Sequence, residues 1–264
     1  MSYSPIDSTA YPMLYVYAFL IALSLGMTIL LYFRWKERKR EANRLITRTF
    51  FVFFLTVVIL YIGFLEMYLT GYKKEIYQYS LGFSYAALSF ANIYLTYFIA
   101  EAFGILPKFV KKYTIISIVI AIFVVLPWNA YGVPAAETQY PQFRLITNIL
   151  LIVWSSLIYT RIANACFNNM KKADNQIAKT GFRLIGWSQI TLSQFLIFQA
   201  LDTVYFKLMN TEGYTVFNYI AWAFCSLFFI LCYLGFIMPN WLKQKISTKD
   251  PSKNELAKSA VQND

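Results

Sequence analysis

The stretch that decides the fold runs from Met13 to Arg48 and reads MLYVYAFLIALSLGMTILLYFRWKERKREANRLITR. Its first 21 residues carry no charged side chain, and about 20 apolar residues in a helix are enough to cross the hydrocarbon core of a bilayer. The 15 residues that follow include seven Lys and Arg. Because such residues concentrate in the cytoplasmic loops of membrane proteins, the stretch predicts a transmembrane helix that ends in the cytoplasm.

Further apolar stretches follow along the chain. With the first, they give seven predicted spans, at 12–33, 49–70, 79–104, 113–131, 143–166, 184–208 and 214–238. Lys and Arg concentrate in every second joint, which predicts a cytoplasmic C-terminus and an outer N-terminus. The sequence therefore predicts an all-α polytopic integral membrane protein of the plasma membrane, built as a seven-transmembrane helix bundle. Its predicted parts are an outer N-terminal segment (1–11), a seven-helix membrane domain (12–242) and a disordered cytoplasmic tail (243–264).

The overall composition agrees with a membrane location. Hydrophobic residues make up 58% of the chain and charged residues 14%, which is more apolar than soluble domains usually are. The formal net charge is +11, a value that in a soluble protein would suggest a nucleic-acid partner. Because the basic residues follow the predicted topology, we expect a lipid bilayer and no nucleic acid. The basic inner loops could also bind a cytoplasmic protein.

Several catalytic chemistries lack the residues that they need. The chain contains no histidine, which excludes histidine-based metal sites and Ser–His or Cys–His nucleophile pairs. The three cysteines, Cys166, Cys225 and Cys232, lie in predicted spans without CxxC spacing, so neither a disulfide nor a zinc site is predicted. Paired carboxylates can do acid–base work, but no nucleophile accompanies them here. We therefore expect no metal, no cofactor and no enzymatic activity.

Two acidic residues interrupt otherwise apolar spans. Glu66 lies in VILYIGFLEMYL (58–69), and Asp202 lies in LSQFLIFQALDTVYF (192–206). A carboxylate at such a depth needs a partner, water or a proton. Since polar side chains in membrane helices face the bundle interior, we expect an outward-facing pocket with the two acids at its mouth. Its expected lining, from polar and aromatic stripes at helical spacing, is Tyr85, Asn92, Gln199 and Trp222.

Four of these residues also have a structural interpretation. Glu66 could extend to the membrane interface, and Asp202 could form an ion pair with Lys207. Asn92 and Gln199 could be interhelical hydrogen-bonding groups, which such residues often are in membrane proteins.

Acids together with aromatic rings favour a cationic or amine ligand.

The first three spans resemble the last three in their charge pattern. Arg48 precedes Glu66 by 18 residues, and Arg183 precedes Asp202 by 19. The third span of each set ends at a proline that is closely followed by lysine. The pattern predicts a parallel 3+1+3 duplication, although few residues are identical.

Two functions compete on this sequence. The first is a receptor or sensor that binds a small, possibly cationic, ligand from outside and signals to a cytoplasmic partner. The second is a small-solute or proton-coupled transporter, which the duplication and the two equivalent acids favour. The spans are mostly free of Gly and Pro interruptions, whereas transporters commonly keep such breaks at their binding sites. The sequence thus favours the receptor.

Overall fold

The computed structural model describes residues 3, 5–6, 8–104, 107–129, 141–209 and 214–247. These residues form α-helices and short helical turns, and no β-strand occurs among them. The helices are α1 (Tyr11–Arg38), α2 (Glu41–Thr70), α3 (Glu75–Phe103), α4 (Pro107–Val125), α5 (Pro141–Lys172), α6 (Gln176–Met209), α7 (Val216–Cys232) and α8 (Asn240–Ser247). Short 3₁₀ turns at Ser8–Ala10 and Pro127–Asn129 adjoin α1 and α4, and a π-helical turn at Tyr233–Ile237 extends α7.

Six of these helices are long and apolar enough to cross a membrane: α1, α2, α3, α5, α6 and α7. Many of their apolar side chains are exposed, for example Phe19, Ile62 and Leu150. Side chains of this kind require a hydrocarbon environment, so the predicted all-α, multi-pass membrane fold in a lipid bilayer is confirmed at this level. Residues 243–247 of the predicted tail belong to α8, and 248–264 lie outside the described residues.

The predicted fourth span corresponds to α4, which is not among the six. Its first turns contain Lys108, Lys111 and Lys112. Beyond them, 113–125 supplies about 20 Å of helix, whereas the hydrocarbon core is about 30 Å thick. The part of the chain that the structure describes therefore gives six candidate spans where the sequence predicts seven.

The helices close into a ring in chain order. Each of α1, α2 and α3 packs on the next, α3 packs on both α4 and α5, and α5, α6 and α7 continue the ring until α7 meets α1. The main apolar core lies inside this ring, and a smaller one lies between α3, α4 and α5. Short turns produce this order: Gly71 and Gly104 end α2 and α3 with positive φ angles of 73° and 66°, a conformation that glycine adopts without strain.

The two ends of the bundle differ in charge. Residues 34–48, which include the turn between α1 and α2, carry seven Lys and Arg. We call this end of the bundle the basic end. The described N-terminal residues lie at the opposite end, which we call the N-terminal end. There Ile6 donates a backbone hydrogen bond to the Gly71 oxygen at 2.9 Å.

Candidate functional site

Glu66 caps a neighbouring helix. It lies half-buried on α2, and its carboxylate accepts a hydrogen bond from the backbone N–H of Tyr77 at 2.9 Å. Tyr77 is in the first turn of α3, where backbone N–H groups have no partner within the helix. The residue that precedes α3, Lys74, supplies no side-chain cap. Glu66 therefore satisfies one of these donors and places a negative charge at the positive end of the α3 dipole.

Asp202 contacts the start of α7 through its N-cap residue, Thr215. Its Oδ1 accepts from the backbone N–H of Thr215 at 3.3 Å and from the Thr215 hydroxyl, and its Oδ2 accepts from Asn218 Nδ2 at 3.4 Å. The Thr215 hydroxyl oxygen in turn accepts from the N–H of Phe217 at 3.2 Å. Within the described residues neither acid forms an ion pair, and the side chain of Lys207 lies outside the described part of the chain.

Asn92 and Tyr85 lie on α3. Asn92 is fully buried, donates to Ser155 Oγ at 2.9 Å and accepts from the Tyr159 hydroxyl at 2.8 Å. These bonds join α3 to α5. Tyr85 packs against the smaller core, which residues of α4 and α5 form. Asn92 thus contacts α5, and Tyr85 contacts the core that α4 and α5 form.

Gln199 and Trp222 lie on facing turns of the antiparallel α6–α7 pair. The Phe195 and Trp222 rings are 4.9 Å apart, and two turns toward the N-terminal end Asp202 contacts Thr215 and Asn218. Residues three or four apart share a helix face, so Gln199 and Asn218 occupy the level between these two contacts. Asp202, Gln199, Asn218 and Trp222 therefore form one group, which we call the polar group.

Three atoms of the polar group are buried without a hydrogen-bond partner among the described residues. They are Gln199 Nε2, Asn218 Oδ1 and Trp222 Nε1. Asn218 is 5% exposed and Trp222 is 7% exposed. Each such group loses its water without replacement, at a cost of about 1–3 kcal/mol. Asn218 is not among the residues predicted from the sequence to form the site; its contact with Asp202 across α6 and α7 adds it.

An aromatic cluster surrounds the polar group on the interior side. The Tyr17 ring of α1 lies 4.8 Å from the rings of both Trp222 and Phe64. Phe64 lies 5.6 Å from Tyr77 and 5.5 Å from Tyr214. The hydroxyls of Tyr77 and Tyr214 are 3.3 Å apart. Through these contacts the starts of α3 and α7 are joined, and Trp222 contacts rings from α1 and α6.

The N-terminal segment packs over this end of the bundle. Thr9 Oγ1 accepts a hydrogen bond from the backbone N–H of Tyr214 at 3.0 Å, and the Thr9 carbonyl accepts from the Tyr219 hydroxyl. The Tyr3 hydroxyl donates to the Glu75 carboxylate, and this hydrogen bond raises the pKa of Tyr3. The segment is thereby attached both to α3 and to α7.

A groove of about 390 Å³ lies elsewhere, between α1 and α2 at the basic end. None of the six predicted site residues lines it. At the same end, Arg34 donates a hydrogen bond to the Phe236 carbonyl in the π-helical turn. That turn packs tightly on α6, since a Cβ built on Gly235 would lie 2.7 Å from Ile185 Cγ1. Turns of this type interrupt the regular helix ladder and often occur at functional sites.

The described residues contain no group of three or more His, Cys, Asp and Glu that could hold a metal ion. No protein-family model, no curated protein and no solved structure matches this chain. The function therefore has to be inferred from the arrangement of its side chains.

Proposed function

We propose that the chain is a seven-transmembrane receptor or sensor that binds a small amine at the polar group and signals to a cytoplasmic partner. The ligand-binding residues are Asp202, Gln199, Asn218 and Trp222. Glu66, Tyr85 and Asn92 then act mainly in helix capping and helix packing. No catalytic role is part of the proposal.

The observation that carries the proposal is the set of unpaired polar atoms beside a carboxylate. Gln199 Nε2 and Trp222 Nε1 can each donate, and Asn218 Oδ1 can accept. A ligand that satisfies all three offers two acceptor oxygens, or one shared oxygen, together with an N–H donor. A protonated amine that also carries a hydroxyl or carboxylate meets this requirement, and its charge is balanced by Asp202.

The aromatic surroundings favour the same ligand class. The Phe195 and Tyr17 rings lie within 5 Å of the Trp222 ring, at 4.9 Å and 4.8 Å. A cation held near ring faces gains about 0.5–2 kcal/mol, with the larger values where water is excluded. The N-terminal segment above the site would supply this exclusion and would have to open for entry.

The orientation follows from the position of the basic residues. The basic end faces the cytoplasm and the N-terminal end faces outside, as is usual for plasma-membrane proteins of this type. The polar group then lies in the outer half of the bundle. Signalling requires an element that changes at the inner end, and the π-helical turn, in contact with Arg34 and with α6, is the candidate.

A seventh crossing by α4 completes this topology. Gly82, near the start of α3, approaches the Val124 carbonyl oxygen, so α4 ends beside the start of α3. Beyond α4, Asn129 Oδ1 accepts from the Thr147 hydroxyl at 2.8 Å, which ties that end to the first turns of α5. These contacts support a helix that runs from the basic end to the N-terminal end, although its apolar part is short.

Binding can be tested on the purified protein by its thermal unfolding. We would screen primary, secondary and quaternary amines with and without a hydroxyl or carboxylate group. At least one oxygen-bearing amine should raise the melting temperature of the wild type and of Glu66→Gln, but not of Asp202→Asn or Trp222→Phe. Equal stabilisation of all four proteins, or none of the wild type, would remove the support for this site.

A transporter is the second candidate, and the repeated capping contact favours it. Glu66 bonds to the start of α3, and Asp202 bonds to the start of α7. The same device at corresponding places supports the 3+1+3 duplication, an organisation that carriers share. Amine flux into proteoliposomes that Asp202→Asn abolishes would favour the transporter; binding without flux would favour the receptor.

A further inference from the structure

The groove between α1 and α2 opens at the basic end. It has a volume of about 390 Å³ and is lined by Thr28, Ile29, Tyr32, Phe33 and Trp35 of α1 and by Arg44, Thr47, Arg48 and Phe51 of α2. Four of its apolar side chains are strongly exposed, namely Ile29, Tyr32, Phe33 and Phe51. In a membrane such exposed apolar surface faces lipid, so the groove is open toward the bilayer and not toward the bundle interior.

The groove combines apolar walls with two arginines one helical turn apart. Arg44 is held by Glu41, which accepts from its Nε at 3.0 Å and its Nη2 at 2.5 Å. Arg48 is exposed, and among the described residues it forms neither a hydrogen bond nor an ion pair. A guanidinium on a lipid-facing helix without a protein partner is unfavourable unless an anion or water reaches it.

The surrounding charges favour an anion strongly. Between 34 and 48 the chain carries seven Lys and Arg but only two acids, Glu37 and Glu41. One of these acids is already paired with Arg44. Basic pockets between helices on the cytoplasmic side bind the head groups of anionic lipids.

We propose that this groove binds one anionic phospholipid of the leaflet that the basic end faces. An acyl chain lies along Ile29, Phe33 and Phe51, and the phosphate pairs with Arg48 while Arg44 stays paired with Glu41. The site is separate from the polar group, so it does not depend on the amine-binding proposal.

The test is lipid binding to the detergent-purified full chain, measured by native mass spectrometry. Phosphatidylglycerol and phosphatidylcholine of the same acyl chains would be titrated separately. The wild type should retain one phosphatidylglycerol in preference to phosphatidylcholine. Arg48→Gln should weaken phosphatidylglycerol binding about fivefold, the loss expected for one basic contact, whereas Arg48→Lys should retain most of it.

Two further variants distinguish lipid binding in the groove from nonspecific electrostatic attraction between the basic protein and an anionic lipid. Arg161→Gln removes an exposed arginine of α5, which does not line the groove, and it should leave binding unchanged. Ile29→Trp fills the groove at an exposed position and should weaken binding of the lipid without unfolding the protein. Equal binding of the two lipids, equal loss in Arg48→Gln and Arg161→Gln, or full binding by Ile29→Trp would each overturn the proposal.

Discussion

Neutralising Asp202 should destabilise the protein more than neutralising Glu66. The Asp202 carboxylate accepts three hydrogen bonds, from the Thr215 N–H, the Thr215 hydroxyl and Asn218 Nδ2, whereas the Glu66 carboxylate accepts one from Tyr77. In Asp202→Asn an amide NH₂ replaces one accepting oxygen, and the negative charge at the start of α7 is lost. In Glu66→Gln the remaining oxygen can still cap α3.

The size of the difference follows from these contacts. Loss of a helix cap costs about 0.5–2 kcal/mol, and hydrogen bonds to charged groups contribute about 1.5–3 kcal/mol. Both acids are half-buried, so solvent weakens their charge interactions. We expect a loss of about 2 kcal/mol for Asp202→Asn and about 1 kcal/mol for Glu66→Gln. At 2–4 °C per kcal/mol, the melting temperatures should fall by about 6 °C and about 3 °C.

Thermal unfolding in one detergent, followed by intrinsic fluorescence, measures this difference. Glu101→Gln is the matched control, because Glu101 is an exposed carboxylate on α3 and should shift the melting temperature by less than about 1 °C. An Asp202→Asn protein as stable as Glu101→Gln would refute the capping argument. So would a larger loss in Glu66→Gln than in Asp202→Asn.

Two more predictions concern helix packing. Gly82→Ala should lower the free energy of unfolding by about 1–3 kcal/mol, because its Cβ would lie 2.8 Å from the Val124 carbonyl oxygen. The control Gly26→Ala, whose Cβ would have no atom within 4 Å, should be neutral or stabilising in the same unfolding assay. Similar losses in both variants would contradict the α3–α4 contact. Asn92→Ala should lower the free energy of unfolding by about 1–3 kcal/mol, because it removes the oxygen that accepts from the buried Tyr159 hydroxyl. An Asn92→Ala protein with wild-type stability would show that this bond does not hold α3 to α5.

The helical spans could be predicted from the sequence, because length and apolarity alone decide whether a helix can cross a bilayer. The exception is α4, where Lys108, Lys111 and Lys112 shorten the apolar part. Hydropathy cannot show that such a helix still packs on α3 and α5. The contact of Gly82 with Val124 depends on the positions of two separate helices.

The candidate site could be predicted only in part. A polar stripe identifies one face of a helix but not the neighbour that this face meets. The face of α3 with Asn92 meets α5, and the face of α6 with Gln199 meets α7. That Glu66 and Asp202 need partners could be predicted, because both lie within otherwise apolar stretches of the sequence. That the partners are helix starts could not be predicted, because it depends on the α2–α3 and α6–α7 register.

The most direct test of the receptor proposal is the indole N–H resonance of Trp222 in ¹⁵N-labelled protein. The chain has six tryptophans, and the spectrum of Trp222→Phe assigns this one by its absence. An oxygen-bearing amine from the screen should shift the Trp222 resonance downfield as its unpaired N–H gains an acceptor, and Asp202→Asn should abolish the shift. A Trp222 resonance that no amine moves, or that moves equally in Asp202→Asn, would contradict ligand binding at the polar group.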